Sequence, residues 1–153
     1  MNRILISACL MGENVRFDGK NGKKRSEIIN KWKEDGCLVV LCPEVAGGLP
    51  VPRPPAEIQP DGTVVTVEGE DVTAAFELGA QKVLELCRAH DIRIAILKEG
   101  SPSCGSSLIN DGNFSHRKIA GRGVTTQLLE EHGVRVFSEH DLVKAESYLR
   151  TID

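Results

Sequence analysis

Four short runs, almost wholly apolar, constrain this chain more than anything else in it: Arg3 to Ala8, Cys37 to Leu41, Ile92 to Leu97 and Val134 to Phe137. A strand that is solvated on one face alternates apolar and polar residues. A continuous run marks a strand covered on both faces, as in a parallel sheet sandwiched between helices. The segments between the runs carry helical period. From Asp71 to His90, Val72, Phe76, Ala80, Val83 and Cys87 recur every three or four residues behind Asp71 as N-cap. Ser26 to Glu34 and Thr125 to His132, the latter stopped by Gly133, read as two more helices, and Ser138 opens a fourth with acidic residues in its first turn.

The resulting order, β-α-β-α-β-α-β-α, predicts an α/β fold: a small Rossmann-like or flavodoxin-like three-layer domain with a four-stranded, mainly parallel sheet and right-handed crossovers. Two stretches break the rhythm. Pro60-Asp61-Gly62, between Glu57-Ile58-Gln59 and Thr63-Val64-Val65, predicts an inserted β-hairpin. Gly105 to Gly123 reads as a long polar loop, of the kind that serves as a lid or binding loop. No repeat or boundary divides the chain, so residues 1–153 are expected to form a single domain.

Charge excludes some functions. Nineteen Lys and Arg stand against 22 Asp and Glu, and a net charge of −3 provides no field for gripping a nucleic acid tightly. No segment approaches the roughly 20 apolar residues of a membrane span. The apolar run that ends at Cys9 comes too early to be the core of a signal peptide. A cytoplasmic protein is therefore expected, and its five cysteines are expected to stay reduced, as ligands, nucleophiles or core fillers.

Three of those cysteines share a position in the pattern. Cys9 follows the first apolar run, Cys42 follows the second, and Cys104 lies in the loop after the third. In an open parallel sheet the loops at the carboxyl ends of the strands line one crevice, so these three thiols should converge there. Three soft ligands suit either a zinc ion or an iron–sulfur cluster, and a [4Fe–4S] cube on three thiolates keeps one iron open. A carboxylate such as Glu44 is available to complete the shell, which would make a closed, non-catalytic metal module. Cys37, at the opposite end of its strand, and Cys87, on the apolar stripe of the long helix, read as packing residues.

Polar residues surround these cysteines. Glu44, two residues from Cys42, is a candidate general acid or base, and Ser101 a candidate hydrogen-bond donor or nucleophile. Arg16, Asp18, Arg53 and Ser103 are candidate substrate-binding residues, while Glu57 and Lys98 with Glu99 are candidates to orient substrate or lock loops by ion pairing. His116 is the histidine placed to reach the site; His90, His132 and His140 read as surface residues.

Taken in order, Ser7-Ala8-Cys9-Leu10-Met11-Gly12, Arg16-Phe17-Asp18-Gly19, Cys42-Pro43-Glu44, Gly47-Gly48-Leu49, Pro52-Arg53-Pro54-Pro55-Ala56-Glu57-Ile58, Asp71-Val72-Thr73 and Leu97-Lys98-Glu99-Gly100-Ser101-Pro102-Ser103-Cys104-Gly105 resemble the short, single-domain members of the thiouracil desulfidase family. The resemblance covers essentially the whole chain. It implies a [4Fe–4S] cluster on Cys9, Cys42 and Cys104, with Glu44 and Ser101 as catalytic residues. It also implies a non-redox reaction that converts a thiolated nucleobase such as thiouracil to uracil and hydrogen sulfide. Cluster-assembly machinery is an implied partner, and the chain is expected to be a monomer or homodimer. A lyase or hydrolase acting on another thio-compound is the rival within enzymes.

Overall fold

The computed structural model describes residues 2–152. Its centre is a parallel four-stranded sheet built from β1 (Ile4–Ser7), β2 (Leu38–Leu41), β5 (Ile94–Leu97) and β8 (Arg135–Ser138), in the order β2-β1-β5-β8. The four apolar runs are these strands. The two richest in isoleucine, β1 and β5, take the central places and are buried at every position, while β2 at one edge leaves Val40 exposed.

The side-chain alternation of the central strands divides the core in two. Ile4, Ile6, Ile94 and Ile96 pack with Ile29 and Trp32 of α1 (Glu27–Glu34) and with Leu142 and Ala145 of α5 (Leu142–Ile152). Leu5, Ala95 and Leu97 pack with Val83, Leu84 and Cys87 of α3 (Thr73–Ala89) and with Leu129 of α4 (Val124–Glu131). Three layers result, as the pattern of the sequence requires. Cys37 and Cys87 lie one in each core, in the packing roles expected of them.

Helix starts follow local chemistry. The Ser26 hydroxyl accepts from the Ile28 and Ile29 N–H groups and caps α1. At α3 the cap position falls on Val72, one residue later than expected, and the Asp71 carboxylate accepts from the Thr73 N–H. The last helix departs further. Ser138 pairs with Leu97 as the final residue of β8, and α5 begins only at Leu142, because the sheet register claims Ser138 and Glu139 turns inward.

The expected hairpin is β3 (Ala56–Ile58) and β4 (Val64–Thr66), turned at Gly62 with φ +88°. Residues 105–123 differ from the expected open loop: they hold a second hairpin, β6 (Leu108–Asn110) with β7 (Lys118–Ala120), and β6 lies against β3. A further short helix, α2 (Pro43–Ala46), starts directly after Cys42.

Helix α2 packs on α3 through two glycines. A Cβ on Gly79 would strike the Pro43 carbonyl, and one on Gly47 the Ala75 carbonyl. This close approach fixes the backbone that carries Cys42 and Glu44. Gly79→Ala should therefore cost about 1–3 kcal/mol by overpacking, read as a lowered urea midpoint. An unchanged midpoint would show that α2 is free to shift on α3.

Candidate functional site

At the carboxyl edge of the sheet the loops after β1, β2 and β5 enclose a cavity of about 500 Å³, roofed by the two hairpins. Cys9, Cys42 and Cys104 all line it, together with Glu44, Ser101, Arg16 and Arg53. Asp18 and Ser103 do not. Asp18 pairs with Arg16 at 3.2 Å, and the Ser103 hydroxyl is turned away to Thr125 of α4 at 2.8 Å.

Each cysteine is held by its own backbone device. Ala8 to Met11 form one 3-10 turn closed by Gly12 at φ +91°, and the Cys9 carbonyl accepts from the N–H groups of Gly12 and Gly22 at 3.2 and 3.0 Å. Cys42 is the N-cap residue of α2, where the backbone N–H groups of Val45 and Glu44 lower its thiol against the burial that raises it. Cys104 is the most buried. Its N–H donates to the Ser101 hydroxyl at 3.2 Å, and its sulfur accepts a long hydrogen bond from the Ser7 hydroxyl at 3.8 Å.

Burial pushes all three thiols up from their ordinary value, and Cys9 reaches about 11. The potential negative charge of Cys42 raises Cys9 further, and the charges of Glu44, Cys42 and Cys9 do the same to Cys104. Three thiols that oppose one another's ionisation in a dry pocket form a donor set suited to a cation, whose charge reverses that balance.

Glu44 sits at the centre of the polar groups. Arg53, itself buried, reaches Oε1 with Nε and Nη2, both at 3.3 Å, and is anchored by the carbonyls of Pro50 and Val15. Ser101 donates to Oε2 at 3.4 Å while its own oxygen accepts the Ser103 and Cys104 N–H groups at 3.1 and 3.2 Å. Burial raises the Glu44 carboxyl above the ordinary carboxylate range, against the charge and hydrogen bond of Arg53 and the Ser101 hydroxyl, which lower it.

Other carboxylates here serve the loops. Glu57, buried on β3, accepts from the Gly112 and Phe114 N–H groups at 2.9 and 3.2 Å and ties the second hairpin to the first. The Glu99 carboxylate does not pair with Lys98, whose Nζ donates to the Glu99 carbonyl at 3.4 Å. The two carboxylate oxygens gather the N–H groups of Ser106, Ser107 and Leu108 and the hydroxyls of Ser106 and Ser107. Lys98 pairs with Glu139 at 2.7 Å, and Glu139 also accepts the Glu99 N–H at 2.8 Å. The sequence reading missed Ser7 and Glu139 as site residues, although both stand at strand ends on the same edge as the cysteines and the same rule reaches them. His116 lines the cavity from the second hairpin, and the other three histidines are exposed.

A family model described as 2-thiouracil desulfurase matches residues 4–141. The chain is 44% identical over 148 residues to an uncharacterized protein of Bacillus subtilis (strain 168), YbbK, covering 91% of this chain and 97% of that one. A solved structure titled [4Fe-4S]-dependent thiouracil desulfidase TudS is 49% identical, superimposes with a TM-score of 0.96 and covers 99% of each chain.

Burial alone would raise Glu99, but the hydrogen bonds of the 106–108 segment prevail and bring its carboxyl down from 4.5 to about 2. A depressed folded value means that these bonds stabilise the native chain above pH 4.5, and that the contribution is lost as pH falls toward 2. Glu99→Gln should lower the urea midpoint at neutral pH and flatten its decline over that acid range. A decline as steep as that of the parent would remove Glu99 from the account.

Proposed function

The chain belongs to the 2-thiouracil desulfurase family, and on that premise we propose that it removes sulfur from thiouracil or a closely related thiolated base, giving uracil and hydrogen sulfide. The observation that carries this reading is the convergence of three thiols, from the ends of three neighbouring strands, on one cavity beside a carboxyl–hydroxyl pair.

The donor set fits a [4Fe–4S] cluster held by Cys9, Cys42 and Cys104. Among the described residues the two remaining cysteines are committed to the cores, and Glu44 is engaged by Arg53 and Ser101. Among the described residues no three His, Cys, Asp or Glu side chains have the spacing to hold a single metal ion. A zinc ion at about 2.3 Å from each thiolate would need them drawn together, whereas a cube meets each thiolate at a separate corner. When bound, such a cluster supplies an iron free of protein thiolate, a thiophilic Lewis acid that weakens the C–S bond.

The protein's own residues manage the protons. The Ser101 oxygen accepts two N–H groups, which stabilise negative charge on it, so its single proton is aimed at Glu44. Water attacking the thiocarbonyl carbon gives one proton to Glu44, which lines the cavity and is held there by Ser101 and Arg53. As the new C–O bond becomes the carbonyl and the C–S bond breaks, Glu44 returns the first proton to the departing sulfur and relays the second from the adduct's hydroxyl, so that one water is consumed and hydrogen sulfide released. Arg53 holds Glu44 in place and limits how far burial raises its carboxyl. The raised carboxyl suits this exchange, since a group that titrates closer to neutrality both takes and gives a proton.

A base of this size is a free metabolite rather than part of a polymer, in keeping with the net charge of −3. No helix of the described residues is long and apolar enough to cross a membrane. The cytoplasm, with its cluster-assembly machinery, is the compartment that the reduced thiols suit.

The test is anaerobic purification and reconstitution, assay of iron and sulfide, and loss of thiocarbonyl absorbance with 2- and 4-thiouracil. A cluster with turnover supports the reading, and zinc in place of iron sinks it. Cys9→Ala, Cys42→Ala and Cys104→Ala should each lose the cluster while Cys87→Ala keeps it; normal iron in any of the first three overturns that ligand. Glu44→Gln should keep the iron and lose roughly 10²- to 10⁴-fold in kcat, the usual contribution of a positioned acid–base group. An undiminished rate would remove Glu44 from the mechanism.

A further inference from the structure

Resting on the desulfidase reading, we propose that Phe114 recognises the flat ring of the substrate by stacking, and that the loop carrying it is built to hold that side chain in the cavity. Phe114 and His116 adopt φ +56° and +62°, a left-handed backbone that residues other than Gly, Asn, Asp and His rarely take, so that Phe114 is the unusual one of the two. The two lie two residues apart at the tip of the second hairpin, and both line the cavity. Such a conformation persists only where the surroundings impose it. Here they do: one oxygen of buried Glu57 accepts the N–H groups on either side of Asn113, those of Gly112 and Phe114, and the Asp111 carboxylate accepts from the Asn113 N–H and the Ser115 hydroxyl.

The chain is poor in aromatics, and most of them are committed elsewhere. Trp32, Phe76 and Phe137 are in the core, and Tyr148 packs against Phe137. Of the six, Phe17 and Phe114 line the cavity, and the Arg16 guanidinium lies over the Phe17 ring at 6.0 Å. Phe114 is therefore the ring whose faces are not taken up by a neighbouring cation. A planar thiolated base in a largely apolar cavity requires such a surface to fix the plane in which the thiocarbonyl faces Glu44 and Ser101.

The experiment measures binding of uracil, the expected product, and of 5,6-dihydrouracil, which has the same polar edge but a puckered ring, alongside thiouracil turnover. The reconstituted parent should prefer uracil. Phe114→Ala should weaken uracil binding and raise the thiouracil KM by roughly 5- to 150-fold, the range spanned by base–aromatic stacking, with kcat changed far less and the preference over dihydrouracil gone. Phe114→Tyr should restore both. Phe114→Gly should bind as poorly as Phe114→Ala yet melt at a higher temperature than it, because glycine adopts the left-handed backbone without strain. Equal losses for uracil and dihydrouracil, or unchanged uracil binding in Phe114→Ala, would overturn the proposal. A parent that binds uracil but turns over no thiolated base would instead remove the desulfidase reading, and the uracil-to-dihydrouracil ratio would still decide the role of Phe114.

Discussion

Everything at this site depends on the parallel pairing of three strands. With β1 between β2 and β5, Ser7 opposite Leu41 and Ile6 opposite Ile96, the three chains leave the sheet at one level and about 4.8 Å apart. Cys42 is the first residue past its strand, Cys9 the second, and Cys104, the seventh past its own, comes back to the same edge after a six-residue loop. The thiols therefore converge without any local spacing motif. A one-residue slip in either pairing would flip the isoleucine rows to the wrong faces of the sheet, so the two apolar cores that stabilise the domain also set the geometry of the donor set.

The carboxylates at this edge show how one cavity separates structural from reactive charge. Glu57, Glu99 and Glu139 all accept backbone N–H groups, and the loop segments they hold are those that close over the thiols. For Glu99 those bonds outweigh the burial that opposes them and bring the carboxyl down to about 2, so it stays an anion and moves no proton. Glu44 has no backbone donors, only Arg53 and one hydroxyl, and burial raises it. Two carboxyls of one cavity are thus driven in opposite directions by their environments, a pattern that supports the acid–base role proposed for Glu44 and leaves Glu99 to hold its loop.

The legible parts of this structure are those written in period and strand ends. The four apolar runs gave the strands, the stripe through Phe76, Val83 and Cys87 gave the long helix, and the position of each cysteine after a run gave the edge on which it lies. What stayed hidden depends on contacts distant in sequence. The hairpin within 105–123 has strands of three residues, too short to show alternation, and is held by Glu57 from another hairpin. Helix α2 is a single turn whose packing rests on the absence of a side chain at Gly47 and Gly79, which composition does not reveal as a contact. The charged pairs were assigned by proximity in sequence, yet Lys98 finds Glu139 across the sheet edge, and Ser103 follows α4 because Thr125 lies nearer than the cavity.

The charges around the cavity also define what it admits. At about 500 Å³ it is of the size of small-molecule sites. Three of its cations are already paired, Arg53 with Glu44, Lys98 with Glu139 and Arg16 with Asp18, so none of these is spare for a phosphate. A nucleotide would bring negative charge toward Glu44 and into an environment that already opposes the ionisation of three thiols, with Lys118 of the second hairpin the lining cation outside those pairs. A neutral base carries no such charge, and its flat apolar faces gain from the same dry surroundings. The surroundings that raise the thiols and Glu44 thus suit the neutral ring of the proposed substrate before any specific contact with it is made.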